Sequence, residues 1–313
     1  MESNRIRFKN ITKRYDDKLV IDNLSFNIEK GEVFGLLGPN GAGKSTVISM
    51  LCGIVAIDKG DIDVQGYSVI KDSKKVKSFI GYVPQELALF ENLSILDNLN
   101  YFAGMYGLKG KVKKERINEA LQVTALEEQR KMKVKKLSGG MKRRLNIACA
   151  IMHHPEILIM DEPTVGIDPQ SRNHILEFAL DMNKKHGMTI IYTSHYMEEI
   201  QKICNKILVI DNGKEIISGT KDDILKSVIN ETTIDVKLMD NRPEIINRLK
   251  KLQGVSEAYY DESLKVLVAS NQYKIEDVLK TIKENEGYIL NISINEPNLE
   301  TVFLSLTGKK LRD

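Results

Sequence analysis

Gly38-Pro39-Asn40-Gly41-Ala42-Gly43-Lys44-Ser45 follows the apolar run 32–37 (EVFGLL) and leads into 45–51, a stretch with helical spacing. Strand, glycine-rich loop and helix in that order are the context in which the pattern G-x-x-x-x-G-K-[ST] binds phosphate. Without β-carbons at 38, 41 and 43 the backbone can curl until successive N–H groups converge on one anion at the positive end of a helix dipole. Lys44 would then reach the β- and γ-phosphates of a nucleoside triphosphate, and Ser45 its Mg²⁺.

Working outward, the runs 157–160 (ILIM) and 189–193 (TIIYT) read as buried parallel strands beside helical stretches, so the core is expected to be α/β. Asp161 ends the first run, where a carboxylate can hold Mg²⁺ through its water shell. Glu162 comes next, placed to orient or deprotonate an attacking water, a role worth roughly 10² to 10⁴ in rate. Residues 206–211 and 214–218 flank Asn212-Gly213 and predict a hairpin, which would close a first domain near Gly219. Between Gln85 and Leu137 the pattern turns helical, with Ile95, Leu99, Phe102 and Tyr106 at intervals of three or four residues. Leu137-Ser138-Gly139-Gly140 then precedes a helix from about Met141 to Met152, placing a serine hydroxyl and two unobstructed N–H groups at a second dipole terminus.

From Thr233 the rhythm changes. Ile234, Val236 and Leu238 alternate, and Ile245, Ile246, Leu249 and Leu252 follow at helical spacing. Strand-like pieces at 257–260 and 265–269 lead to a helix carrying Ile275, Val278, Leu279 and Ile282, then to a strand over 288–294. This β-α-β-β-α-β order is a ferredoxin-like plan, an α+β domain. A closing helix is expected over 299–306, stopping at Gly308.

Composition sets the limits. The 313 residues are 42% hydrophobic and 28% charged, which excludes a disordered or fibrous chain, and a net charge of +3 is too small to argue for nucleic acid. The basic excess lies in residues 1–220, whereas 221–313 are slightly acidic. Three scattered cysteines without a CxxC spacing argue against a disulfide framework or a thiolate metal site. No apolar run reaches the ~18 residues of a membrane helix and the N-terminus is polar, so any membrane role calls for a partner chain.

Taken together the motifs resemble one family, the ATP-binding subunits of ABC transporters: Walker A at 38–46, including Thr46, the signature LSGGM at 137–141 and Walker B at 157–161. The resemblance spans residues 5–220. It implies a P-loop NTPase cassette with a RecA-like core, an antiparallel β subdomain and a helical subdomain at about 86–140, followed by the accessory domain 221–313. It also implies ATP and Mg²⁺, with Ser45, Gln85 and Asp161 at the metal. Gln85 in YVPQE resembles the Q-loop glutamine, Gly166-Ile167-Asp168 the D-loop, His195 the switch histidine that senses γ-phosphate, and Tyr15 the adenine-stacking aromatic. Glu162, His195, Gln85 and Lys44 form the implied catalytic set. Pro39, Asn40 and Ala42 belong with the glycines in the nucleotide loop, and Ser138, Gly139, Gly140 and Asp168 are implied to face a nucleotide from the opposing subunit. Singly, each also reads as ordinary structure: Gln85 a strand-end polar group, Tyr15 packing, Asp168 a helix cap, His195 a core histidine. Met141 stands where the family usually has glutamine, which removes a side-chain amide but neither the Ser138 hydroxyl nor the glycine amides.

Members of this family pair head to tail around two ATP molecules, so a second ATP-binding subunit, most simply a second copy, is an implied partner. The SGGMKRRL segment, the Leu93-Ser94-Ile95 entry and the NLETVFLSLTG ending resemble the exporter branch of antibiotic-resistance and sodium-efflux ATPases, which act with a separate ABC-2 type permease. That implies a cytoplasmic protein, peripheral on the inner face of the membrane. Lysines and arginines over 109–116 and at 131–136 could face lipid or permease, or simply solvent. A soluble ABC ATPase acting on nucleic acid or ribosomes is the alternative, but there is no coiled-coil insert, zinc motif or second cassette, and the tail lacks the aromatic motif for stacking RNA bases. A GTPase is disfavoured because Asn205-Lys206-Ile207 continues with Leu208 rather than a guanine-reading aspartate.

Overall fold

The structure is a computed structural model and describes residues 4–194, 196–228, 231–240, 242–269, 273–295, 299 and 303. His195 and most of the expected closing helix, with Gly308, lie outside the described residues. Leu299 and Phe303 of that segment are helical and buried.

The chain runs β1 (Asn4–Tyr15), β2 (Lys18–Glu29), β3 (Val33–Leu37), α1 (Lys44–Leu51), β4 (Lys59–Val64), β5 (Tyr67–Ser68), α2 (Ser73–Phe79) and β6 (Ile80–Val83). Then come α3 (Ile95–Met105), α4 (Gly110–Val123), a 3₁₀ turn (Val134–Lys136), α5 (Gly139–Ile151), β7 (Ile157–Asp161), α6 (Pro169–His186), β8 (Thr189–Thr193), α7 (Met197–Ile203), β9 (Lys206–Asp211) and β10 (Lys214–Thr220). After α8 (Lys221–Val228) follow β11 (Glu231–Leu238), α9 (Pro243–Leu249), β12 (Val255–Asp261), β13 (Ser263–Ala269), α10 (Ile275–Glu284) and β14 (Ile289–Asn295). Two compact units result, one up to Lys221 and one over Asp222–Leu306.

In the first unit a six-stranded sheet has the order β10-β9-β3-β8-β7-β6, parallel except for β10. Every residue of β3, β7 and β8 is buried, as parallel strands covered on both faces require. The carboxyl ends of the parallel strands share one edge, where ligands bind in open α/β sheets. A second, antiparallel sheet, β2-β1-β4-β5, packs against it. Phe8 stacks on Phe26 with centroids 4.0 Å apart, and Phe26 on Phe34 of β3 at 5.5 Å, so one aromatic column joins the two sheets. The alternation of β1 is hard to see in sequence because its register against β2 shifts repeatedly, among other places between Phe8 and Ile11 and between Ile11 and Lys13.

Helices α3, α4 and α5 contact one another, and a capping box starts α3: Ser94 Oγ accepts from Asp97 N while the Asp97 carboxylate accepts from Ser94 N. Tyr106 falls at the end of α3 rather than on its buried stripe, and it stacks on the half-buried His153 at 3.9 Å. Helix α5 begins at Gly139, two residues ahead of the expected Met141, because Ser138 caps it.

In the second unit the sheet order is β12-β13-β11-β14, all antiparallel, with α9 and α10 following β11 and β13. Ile234, Val236, Leu264, Val266 and Val268 supply its buried face, onto which Ile245, Leu249, Val278 and Ile282 pack. Helix α9 ends at Leu249, so Leu252 joins the edge of this core from a turn that leads to Gly254 at φ 81°.

Candidate functional site

The loop after β3 is shaped by its glycines. Gly41 and Gly43 have φ of 80° and 107°, a region open to glycine at little cost. A β-carbon on Gly43 would lie 2.5 Å from Ile21 Cδ1, and one on Gly38 would lie 2.3 Å from Ile210 O, whereas Gly41 faces open space. The loop therefore hugs β2 and β9 on one side and is bare on the other. Lys44, the first residue of α1, is buried, and its ammonium donates to Gly38 O at 2.8 Å and Pro39 O at 3.2 Å. Burial holds its pKa below the usual lysine value, against the pull of Glu162 and Asp161. A buried cation resting on carbonyls beside a bare loop suits an arriving polyanion.

A cavity of about 470 Å³ opens there, inside the usual range for small-molecule sites. Its walls bring together Tyr15, Asn40, Gly41, Gly43, Lys44, Ser45, Thr46, Gln85 and Glu162. Tyr15 ends β1, is about half exposed, and has the Lys13 ammonium 5.4 Å from its ring centre. A second cavity of about 480 Å³ lies where β3, β7 and β8 begin, lined by Arg116, His154 and Met182 among others; it contains none of the phosphate-loop residues.

Asp161 closes β7 and Glu162 follows at φ 47°, left-handed backbone that costs a non-glycine residue about 1–2 kcal/mol. Thr193, at the end of β8, ties the two acids together. Its hydroxyl donates to Asp161 Oδ1 at 2.7 Å and accepts from Glu162 N at 2.8 Å. Both acids are buried, and desolvation raises the Asp161 pKa, only partly offset by the Thr193 hydrogen bond; Lys44 and the Tyr82 hydroxyl act in the same lowering direction. Burial beside Asp161 in turn pushes the Tyr82 phenol above its ordinary value. A carboxylate carrying that desolvation penalty gains from a nearby cation. Among the described residues no three His, Cys, Asp or Glu groups cluster to hold a metal.

Gln85 lies two residues beyond β6, and its backbone is pinned by Arg143 of α5, which donates to Pro84 O and Gln85 O, both at 2.7 Å. Arg143, Thr193 and Tyr82 were not singled out from sequence. Each carried a weak signal: an arginine in the run KRR after Gly139-Gly140, a polar residue at the end of an apolar strand for Thr193 and one near the end for Tyr82.

Ser138, Gly139, Gly140 and Asp168 lie apart from this cavity. Ser138 caps α5, its hydroxyl accepting from Met141 N at 3.2 Å, so the backbone of Met141 keeps a role where its side chain offers no amide. Asp168 caps α6, accepting from Ser171 N at 2.9 Å, and that N–H holds its carboxyl below the usual range. The two helix starts meet: a β-carbon on Gly140 would lie 2.1 Å from Ser171 Oγ, while one on Gly139 finds only Ile167 Cδ1 at 3.8 Å.

The sequence model of the family described as ABC transporter matches residues 21–165. The Linearmycin resistance ATP-binding protein LnrL of Bacillus subtilis strain 168 is 44% identical over 98% of this chain and 100% of its own length. Nod factor export ATP-binding protein I of Burkholderia thailandensis is 37% identical, covering 98% of each. Among solved structures, an ATP-binding subunit of an ABC transporter is 29% identical over 71% of this chain and 92% of its own, with a TM-score of 0.65. CbiO1 from Clostridium perfringens is 28% identical over 72% and 95%, also at 0.65. A phosphate loop backed by paired acids on a parallel sheet, together with likeness to these relatives along nearly the whole chain, places this chain in the ABC transporter family as an ATP-binding protein, an ATPase.

Proposed function

We propose that this chain powers export through a separate ABC-2 type permease, working as a pair of cassettes, most simply two copies, on the inner face of the membrane. The names of its relatives, a resistance protein and an export protein, support the direction of transport. Among the described residues no helix is long and apolar enough to cross a membrane, so the passage itself falls to a partner. An exposed apolar patch supports the helical lobe as the docking place: Phe90 packs edge-on against Tyr101 at 4.7 Å, and Leu87, Leu93 and Met105 are also exposed.

The observation that carries the catalytic part is the gathering of Lys44, Gln85 and Glu162 around one cavity beneath a bare glycine loop. The loop from Gly38 through Thr46 wraps the triphosphate, with Pro39, Asn40 and Ala42 setting its path, and Lys44 exchanges its two carbonyls for phosphate oxygens. Tyr15 stacks on the adenine. Ser45, Asp161 and Gln85 would hold Mg²⁺, which when bound neutralises developing phosphate charge. Glu162 accepts the proton of the attacking water, and His195 is read as the γ-phosphate sensor. Ser138, Gly139, Gly140 and Asp168 contact the nucleotide held by the second subunit, so ATP draws the pair together and hydrolysis releases it. Residues 1–220 form this cassette, with its helical subdomain at about 86–140. Residues 221–313 are read as a ferredoxin-like accessory domain, supported by its strand order and paired helices.

Glu162→Gln is the decisive variant. It should bind ATP as the parent does, hydrolyse it roughly 10² to 10⁴ times more slowly, and accumulate as a dimer by size-exclusion chromatography with ATP. Turnover at the parent rate would remove Glu162 as the base. A pull-down that recovers RNA instead of a hydrophobic membrane protein would favour the nucleic-acid alternative.

A further inference from the structure

Behind Glu162 lies a third buried carboxylate, one that the roles above leave unused. Glu199 of α7 is only 2% exposed, and one of its oxygens, Oε2, accepts three hydroxyls: Ser194 at 2.6 Å, Thr164 at 2.9 Å and Tyr192 at 2.9 Å. Its other oxygen lies 3.5 Å from Arg172 Nε of α6, an ion pair a few tenths of an ångström too long for a hydrogen bond. Arg172 also stacks on the Tyr196 ring at 4.1 Å, and the Ser194 hydroxyl accepts from Tyr196 N at 2.9 Å.

The donors close a ring. Tyr192 and Ser194 flank Thr193, the residue whose hydroxyl accepts from Glu162 N; Thr164 stands two residues beyond Glu162 on the other side. Glu162 is therefore gripped from both sides at a left-handed φ that persists only where the surroundings over-determine it. An acceptor-only group is needed at the centre. A glutamine of the same shape can offer its carbonyl oxygen to the three hydroxyls only without the charge that strengthens those bonds, and its NH₂ would then face Arg172 Nε, donor against donor, where the ion pair had been.

We propose that Glu199 is a positioning residue for ATP hydrolysis, drawing Thr164, Tyr192 and Ser194 onto one oxygen so that Glu162 is held where the attacking water must be met. The proposal rests on the reading of Glu162 as the base. It also predicts a particular kinetic signature, because Glu199 touches none of the groups that line the nucleotide cavity: hydrolysis should suffer and nucleotide binding should not.

The test uses the full chain and three variants, Glu199→Gln, Thr164→Val and their double, each measured for kcat, for KM with ATP and for thermal midpoint. Displacing a catalytic group by ~1 Å costs about 10²-fold, which is the fall in kcat expected for Glu199→Gln, with KM within about threefold of the parent. Thr164→Val removes one arm and should lose about tenfold, and the double variant should be no slower than Glu199→Gln within about twofold, since both act through one ring. Parental kcat in folded Glu199→Gln overturns the proposal, as do single effects that multiply in the double variant, or a fall in kcat matched by a fall in ATP affinity. If Glu199→Gln does not fold, parental kcat in Thr164→Val has the same force. Glu162→Gln run alongside separates the two readings: full turnover in that variant strikes the base assignment itself, whatever Glu199 does.

Discussion

Two glycine-led helix starts in the first unit look alike in sequence and differ in what surrounds them. At α1 the loop lies against β2 and β9, a lysine is buried beneath it, and two linked acids stand nearby. At α5 the serine caps its own helix, Gly140 is pressed against α6, and Gly139 has almost nothing over it. The first start has all the groups a phosphate needs within one chain. The second supplies donors alone, as the shared site proposed above would require of it.

Four substitutions sharpen or break that contrast. The largest effect is expected from Gly43→Ala, which adds a β-carbon 2.5 Å from Ile21 at φ 107°. Overpacking and left-handed strain together should cost about 2–4 kcal/mol, seen as a lower thermal midpoint and lost ATP binding by calorimetry. Lys44→Ala should fold and weaken ATP binding by roughly 10- to 100-fold, the worth of charge-assisted hydrogen bonds; undiminished affinity would show that the first start is not the nucleotide loop. Ser138→Ala removes the α5 cap and should lower stability by about 0.5–2 kcal/mol in a thermal melt while leaving ATP affinity of the single chain unchanged. Gly139→Ala is the smallest structurally. With its nearest neighbour at 3.8 Å the melt should not fall, yet ATPase activity should drop if that amide faces a partner's phosphate, and unaltered activity would reduce the second start to a plain cap.

The legibility of the molecule varied in the same way. Elements with an uninterrupted period were read from sequence nearly to the residue: β8 over Thr189–Thr193 and the hairpin β9–β10 around Asn212-Gly213. The β1–β2 pair was carried by family resemblance alone, because repeated register shifts break its alternation. In the site, Lys44, Asp161 and Glu162 announce themselves by their place at strand ends and loop. Thr193, Arg143 and Glu199 do not, since a threonine, an arginine or a glutamate acquires its meaning only from the segment folded against it.

Sequence by itself determined the phosphate loop, the two acids after the ILIM strand and the family, because these are local patterns whose chemistry depends on a few adjacent residues. Only the tertiary structure decided that one threonine joins both acids and that one buried glutamate gathers three hydroxyls from β8, the turn after it and the loop past Glu162. Those contacts span some thirty residues of chain or are closed by packing, and hydrogen bonds of that kind become strong only after folding has excluded water from around them.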